Sequence, residues 1–443
     1  MDIFGTARLG PSHHLARVSG QPGPIRRFIA SSHIPTDKNR WKALGAIFAL
    51  QMAHDLPNAL TATMAPTLFV KKLGLPVEYL GLFFLPFVVT ALKWLWAPLV
   101  DNHYSASFGR RRSWLLPLTG CVALSYVAIG LVHPSIETLW MIIALLMLKQ
   151  VFYATQEVAA DAYVIENLKP AERNFGSAVV WLGKEAGQIV GFAGLLFIAD
   201  RFGWQPAFVT AAALFAALNL PALVRTEPAP MASGLKRARP FAYLASAVNR
   251  KVLAIVFAMS FSVQMPVAVI GPFLGSKGLT LSEIGVVLGV AASLGAIISL
   301  SIASIIIARI GPKKMAIAML FIAPLAAPGF FYIALSETVD VVAVILIILI
   351  GTICTAPVRM ALYAARIGWT SKHQTGTDMT TQQSVWFLGF AAAGAVSGIL
   401  ASAIGWTGFF AVNMILTTAA LLFFITSHDE ICAQVAAQKT SSA

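Results

Sequence analysis

Charged and polar side chains recur at helical spacing inside stretches that are otherwise apolar. Two stretches carry four of them each, in the pattern i, i+3, i+4, i+7: Gln51, His54, Asp55 and Asn58, then Trp181, Lys184, Glu185 and Gln188. That spacing places each set on one face of a helix. Carboxylates and imidazoles exchange protons and cations bind acidic groups, so these faces are predicted to transfer protons and bind a ligand.

Other apolar stretches hold further residues of these kinds. They are Lys93, Lys149, Gln150, Tyr153, Gln156, Glu157, Asp161, Gln264, Arg359, Gln382, Gln383 and Trp386. Charged groups are costly to remove from water unless they are paired. We therefore expect these side chains either to pair with one another or to line a wet site.

The elements that hold these residues are apolar runs of about 20 residues, the length that crosses a bilayer as a helix. Of the 443 residues 58% are hydrophobic and 12% charged, and the mean hydropathy is +0.76. Soluble domains carry about 25% charged residues, and barrel strands alternate in shorter segments. The sequence predicts an all-α membrane protein with twelve spans, near residues 42–67, 77–100, 113–132, 137–160, 175–199, 205–224, 251–274, 284–308, 313–335, 339–361, 381–404 and 407–426.

The positive charges predict how these spans are oriented. With the N-terminus inside, 24 Lys and Arg lie in cytoplasmic segments and 4 in the opposite loops, so both termini are expected to be cytoplasmic. The net charge of +13 sits mainly in these segments, and no nucleic-acid partner is predicted. The predicted divisions are a flexible extension at 1–40 with no cleavable signal peptide, bundles at 41–224 and 251–426, a central loop at 225–250, and a tail at 427–443.

The two bundles carry matching glycines. Gly74, Gly109 and Gly203 recur as Gly278, Gly311 and Gly405, at offsets of 204, 202 and 202 residues. Three pairs in the same order predict an internal duplication. Two six-helix halves with a substrate site between them are the architecture of the major facilitator superfamily.

The polar residues are unevenly distributed over the spans. Spans 3, 6, 9 and 12 carry almost none except Asn219 and Asn413. In the superfamily the third helix of each triplet is peripheral, so this distribution predicts a water-filled, charged cavity enclosed by the other spans. The alternative is that the polar groups only join helices by hydrogen bonds, which does not easily account for four cations and four acids at membrane depth.

Roles for the charged residues follow as hypotheses. Asp55, beside His54, is the first candidate for a proton carrier, then Glu157, with Glu185 as a third buried carboxylate. Lys149, Lys184 and Arg359 would hold acidic groups of the substrate, or else form structural ion pairs.

The loop after the second span is the candidate gate. A carboxylate at the end of that span could bridge to a basic cluster across the helix ends, and breaking the bridge would favour opening. The gate residues are Asp101, Gly109, Arg110, Arg111 and Arg112, together with Asp161 at a helix end. Positive-inside anchoring alone would explain the arginines but not Asp101.

Enzymatic chemistry has no support in the sequence. We find no nucleophile set, no phosphate-binding glycine loop with a lysine, and no Cys/His cluster, so neither an enzyme nor a cofactor is predicted. His13 and His14 are weak candidates for metal binding. Three cysteines show neither disulfide nor metal spacing.

Two segments, LKWLWAPLVDNHYSASFGRRRSW and ATQEVAADAYVIENLKPAERNFGSA, resemble the signature regions of the peptide and acetyl-coenzyme-A transporter branch of the superfamily. The resemblance covers most of the chain, and its motifs are specific to the branch but not to a substrate. Ala97 stands where the general loop motif commonly has glycine, and the gap from Asp101 to Gly109 is longer, as it is in the branch. The branch includes bacterial muropeptide permeases and siderophore permeases of the rhizobactin, pyochelin and yersiniabactin types. The compact twelve-span form is more similar to the siderophore permeases.

The resemblance implies a proton symporter of the bacterial inner membrane that imports a siderophore or its iron or zinc complex. Two alternatives stay open: a proton-coupled muropeptide permease of cell-wall recycling, and a transporter-like sensor that signals without net transport. The expected partners are the lipid bilayer, protons and a small-molecule substrate, and such carriers usually work as monomers.

Overall fold

A computed structural model describes residues 38–105, 107–168, 173–225, 243, 246–370 and 375–441. These residues are helical almost throughout, which confirms the all-α prediction. The α-helices are α1 (Lys38–Asp55), α2 (Ala65–Lys71), α3 (Leu85–Leu92), α4 (Ala97–Asn102), α5 (Arg112–Leu131), α6 (Leu139–Asn167), α7 (Arg173–Ile189), α8 (Leu196–Phe202), α9 (Trp204–Val224), α10 (Ala247–Ser276), α11 (Leu281–Val286), α12 (Ala292–Ile322), α13 (Ala327–Leu335), α14 (Val341–Trp369) and α15 (Thr375–Ser441).

Short 3₁₀ and π segments join several of these helices. They are Leu60–Met64, Val77–Phe84, Lys93–Leu95, Val190–Leu195, Val287–Ala291 and Ala323–Ala326. Nearly all of the predicted extension at 1–40, with His13 and His14, and most of the central loop lie outside the described residues.

Nine helical stretches in the described part of the chain are long and apolar enough to cross a bilayer. Two of them, Leu281–Leu335 and Asp378–Ala437, are 55 and 60 residues long. Because about 20 residues span a bilayer, each has the length for two crossings. Lys38–Lys71, whose apolar run is interrupted by polar residues, is not among the nine. The total of twelve spans therefore stays a prediction.

Glycines with positive φ mark corresponding turns in the two parts of the chain. Within the described ranges they are Gly74, Gly109, Gly203, Gly278, Gly311 and Gly405, with φ between 70° and 100°. These are the three pairs that the sequence offsets matched. Residues with a Cβ rarely adopt this conformation, so the shared glycines reflect a shared backbone geometry. The geometry supports the predicted duplication.

Three helices extend beyond their predicted ends. α6 continues to Asn167, α14 to Trp369, and α15 through the predicted tail to Ser441. The last part of α15 packs on neighbouring helices through buried Ile431 and Val435. It also forms ion pairs at 2.5 Å, Lys313 with Asp429 and Lys251 with Glu430.

We call residues 38–225 the N-terminal half and residues 246–441 the C-terminal half. We call the end of the helices that carries loop 103–111 the arginine end, and the end that carries loops 72–76 and 277–280 the lysine end. Hydrogen bonds join the two halves at the lysine end: Lys71 Nζ to the Leu279 carbonyl (2.8 Å), Ser282 to Asp200 (2.7 Å) and Ser402 to Glu78 (3.0 Å).

Glycines let the backbones of the two halves approach closely at the lysine end. A Cβ on Gly398 would collide with the Val77 carbonyl oxygen, and one on Gly285 with that of Phe192. The lysine end is therefore closed by direct contact between the halves.

A charged cavity between the two halves

A cavity of about 3050 Å³ lies between the halves. Its lining reaches Asn102, Arg110 and Arg111 at the arginine end and stops near Thr63 and Ile270 towards the lysine end. The cavity is thus entered from the arginine end.

Most of the residues that the sequence singled out come together on the wall of this cavity. They are Gln51, His54, Asp55, Asn58, Lys93, Arg110, Arg111, Gln150, Tyr153, Glu157, Asp161, Trp181, Lys184, Glu185, Gln188, Gln264, Arg359, Gln383 and Trp386. The helical faces predicted on α1 and α7 therefore both turn inward.

An ion pair on the cavity wall joins Lys93 to Glu157 of α6. Lys93 Nζ lies 2.7 Å from Glu157 Oε2, and the two side chains are 5% and 15% exposed. The Lys93 ammonium also lies 5.7 Å from the centre of the Phe387 ring in the other half. The charge of Glu157 is thus compensated by a cation from a different helical segment.

Asp55 is the half-buried carboxylate at the end of α1. It accepts a hydrogen bond from Asn58 Nδ2 at 3.3 Å, and it has no cation within 4.0 Å among the described residues. Its charge interacts with that of Lys184 at longer range. The neighbouring His54 ring is buried against Tyr153, with ring centres 5.4 Å apart.

Lys149 lies behind the wall rather than on it. Its ammonium donates to Gln150 Oε1 at 2.6 Å and faces the rings of Tyr126 and Tyr153 at 5.6 and 5.3 Å. Gln150 in turn donates to the Thr90 hydroxyl at 2.7 Å. A cation held in this way orders the wall and is out of reach of a ligand in the cavity.

Gln156 and Gln382 also lie away from the cavity lining. Gln156 is fully buried and donates to Thr119 and Asn219. It therefore joins helices by hydrogen bonds, which is the alternative role considered for polar residues in the spans.

Gln382 receives a hydrogen bond from Arg366 at 3.0 Å and donates to the Tyr243 hydroxyl at 2.9 Å. Arg366 itself lines the cavity and also donates to Gln383 at 3.2 Å. The sequence placed Arg366 in a loop because it ended the tenth span at residue 361. Its position i+7 from Arg359 was the signal for a shared helical face.

The basic cluster of the candidate gate has a partner that the sequence did not single out. Arg111 donates from Nε and Nη2 to Glu166, the shortest distance being 2.6 Å, and Arg110 lies 3.5 Å from the same carboxylate. Glu166 was missed because α6 was expected to end near residue 160.

The remaining gate residues lie around this cluster. Gly109 has the positive φ of the turn, and Arg112 begins α5 outside the cavity lining. The side chain of Asp101 is not among those described, so its predicted bridge stays a prediction. No group of three or more His, Cys, Asp or Glu that could hold a metal occurs in the described ranges.

Comparison with known proteins places this geometry in a family. Residues 47–365 match the model of the Major Facilitator Superfamily. An anhydromuropeptide permease of Escherichia coli (strain K12) is 33% identical over 186 residues, 42% of this chain and 36% of the permease, so the match spans about a third of that relative. A protein of Rickettsia conorii named putative transporter AmpG 4 is 23% identical over 403 residues, 87% of this chain and 96% of the relative.

Solved structures share the fold. The nucleoside transporter NupG (D323A mutant) superposes with a TM-score of 0.69 at 12% identity, covering 87% of this chain and 99% of that one. A bacterial homolog of the human lysosomal transporter Spinster, in an inward-facing and unoccupied conformation, gives 0.67 at 14% identity, covering 90% and 99%. At these identities the likeness concerns the fold alone.

Proposed function

Because this chain belongs to the Major Facilitator Superfamily and is a membrane transporter of that type, we propose that it imports an anhydromuropeptide-type cargo, driven by protons. This choice of cargo rests on the 33% identity to an anhydromuropeptide permease. The cavity supports this choice, because 3050 Å³ exceeds the roughly 300–1,000 Å³ of usual small-molecule pockets and suits a bulky cargo.

The expected siderophore cargo gains no support from the relatives described above. One of them is named for a muropeptide cargo and none for a siderophore. We therefore prefer the muropeptide alternative.

The proposed orientation puts the arginine end in the cytoplasm of a bacterium. By the positive-inside rule, loop 103–111 with Arg110 and Arg111, followed by Arg112 at the start of α5, would face inside. The cavity then opens inward and the lysine end closes the outer side. Import would proceed by rocking of the two halves about the cavity, which opens and closes the two ends in turn.

Asp55 is the proposed proton carrier. Glu157 has its own counter-ion in Lys93, whereas Asp55 has an amide partner and no cation within 4.0 Å among the described residues. Taking up a proton removes the charge of Asp55, which has only long-range compensation from Lys184, and releasing the proton restores that charge when the cavity faces the cytoplasm.

The test is uptake by right-side-out vesicles of labelled anhydromuropeptide, with a labelled ferric siderophore run in parallel. We expect uptake of the muropeptide that an uncoupler abolishes. Asp55→Asn should lose accumulation against a gradient but keep exchange of cargo between the two sides. Glu137→Gln, which removes an exposed carboxylate outside the cavity, is the matched control.

Three outcomes would change the proposal. Uptake of the siderophore alone would restore the first expectation, and binding of either cargo without uptake would favour the sensor. Full accumulation by Asp55→Asn would remove Asp55 from the proton path.

A further inference from the structure

Two cations on the cavity wall have no contact partner. Lys184 on α7 and Arg359 on α14 both line the cavity, and neither makes a hydrogen bond or has a carboxylate oxygen within 4.0 Å among the described residues. The other cations of the described lining have contacts: Lys93 with Glu157, Arg110 and Arg111 with Glu166, and Arg366 with Gln382 and Gln383. Lys184 is half-buried and Arg359 is exposed to the cavity, so both cations are open to a ligand there.

Lys184 belongs to the N-terminal half and Arg359 to the C-terminal half, and both line the cavity between the halves. Lys184 is within electrostatic range of Tyr363, which lies one helical turn from Arg359 on α14. Glu185, beside Lys184, is within the same range of Arg359. Residues 184–185 and residues 359–363 therefore border a shared part of the cavity.

The charged side chains described on the cavity wall of the C-terminal half are all positive. Among the described lining residues of that half, Arg359 and Arg366 are the charged ones, and no carboxylate accompanies them. They lie seven residues apart on α14, about 10 Å along the helix. The N-terminal wall, in contrast, holds both signs.

We propose that Lys184 and Arg359 form a clamp that binds one carboxylate of the cargo from both halves at once. The guanidinium offers a planar pair of donors and the ammonium a point charge, which together fit a carboxylate. When the clamp is empty, Lys184 is balanced at longer range by Asp55, Asp161 and Glu157, and Arg359 by Glu185. The cargo carboxylate replaces this long-range compensation by direct contact.

The clamp also gives cargo binding a mechanical effect. Because its two sides belong to different halves, a shared anion pulls the halves together at mid-depth, which favours closure of the arginine end. Arg366 lies two turns nearer that end and offers a second cation to an anionic cargo that leaves through the arginine end. The identity of the cargo rests on the proposed import function, whereas binding of an anion by Lys184 and Arg359 does not.

The first experiment does not depend on the cargo. Thermal unfolding of the purified full-length protein is followed with succinate as the dicarboxylate probe, against sodium chloride at equal ionic strength. Succinate should raise the midpoint temperature of the wild type, and Lys184→Gln and Arg359→Gln should each lose that rise. Glu185→Gln should enlarge it, because a competing carboxylate is removed.

Lys72→Gln, which removes a cation in the exposed loop at the lysine end, should respond as the wild type does. No rise in the wild type, or the same rise in both clamp variants, would overturn the clamp.

The second experiment compares the anhydromuropeptide with an analogue whose stem carboxylates are amidated. In the wild type amidation should raise KM about tenfold, the value of one charged hydrogen-bonded contact. Arg359→Gln should transport both forms with equal KM, and Arg359→Lys should restore part of the preference. Absence of uptake by the wild type would contradict the proposed function, whereas uptake with an undiminished carboxylate preference in Arg359→Gln would contradict the clamp alone.

Discussion

Lys93 and Glu157 form an ion pair of 2.7 Å between the chain after α3 and the middle of α6, with little exposure on either side chain. Removing one partner of a buried pair leaves the other charge uncompensated. Glu157→Gln should therefore lower the free energy of unfolding by about 3 kcal/mol, near the lower end of such losses because Glu157 keeps contact with the cavity.

Replacing both partners should recover most of that loss. The double variant Lys93→Met with Glu157→Met removes both charges at similar volume, so it should be closer to the wild type than either single change. Unfolding in detergent with a graded denaturant measures the three variants side by side. Equal stability of Glu157→Gln and the wild type would mean that the pair is compensated by water in the cavity.

The closed lysine end depends on glycine. Gly398→Ala introduces a Cβ against the Val77 carbonyl, which pushes the halves apart at that end. We expect Thr63→Cys, at the closed end of the cavity, to react with a membrane-impermeant maleimide several-fold faster in the Gly398→Ala background. Gly120→Ala, which meets nothing within 4 Å, is the matched control and should leave the labelling rate unchanged.

The link between loop 103–111 and α6 includes the carboxylate of Glu166. Glu166→Gln removes the charge that Arg111 contacts at 2.6 Å and Arg110 at 3.5 Å. Arg111 is 4% exposed, so losing this charge should weaken the attachment of the loop. Limited trypsin digestion should then cut at residues 110–112 several-fold faster than in the wild type or in Glu137→Gln. An unchanged rate would show that the arginines are held by other contacts.

The last part of α15 should be held mainly by its apolar side. Ile431 is fully buried, so Ile431→Ala should cost about 2–5 kcal/mol, whereas Asp429→Asn breaks an exposed ion pair and should cost much less. Thermal unfolding of the two variants decides between the contributions. A larger loss for Asp429→Asn would give the ion pairs the leading role.

The sequence was sufficient for the fold class and for the inward faces of α1 and α7. Periodicity alone placed Asp55 and Lys184 on inward faces, and the offsets between glycines identified turns that share a positive φ. Both signals are local, because a helical face and a left-handed residue are fixed by neighbours in the chain.

Pairing between distant helices could not be predicted. Nothing local in the sequence says that Glu157 contacts Lys93 rather than Lys149, or that Arg111 contacts Glu166. These choices depend on the crossing of helices that are 55 or more residues apart in the chain. The ends of helices could not be predicted accurately either. Apolar content falls at residues 160 and 361, whereas the helices continue to Asn167 and Trp369 in polar surroundings.

The size of the cavity also has an osmotic consequence. At about 30 Å³ per molecule, 3050 Å³ holds on the order of a hundred waters. An empty carrier that closes its arginine end must release most of them, whereas a loaded carrier releases fewer. An excluded osmolyte on the side of the arginine end should therefore speed closure of the empty cavity more than closure of the loaded one, so turnover should depend on the solute concentration on that side.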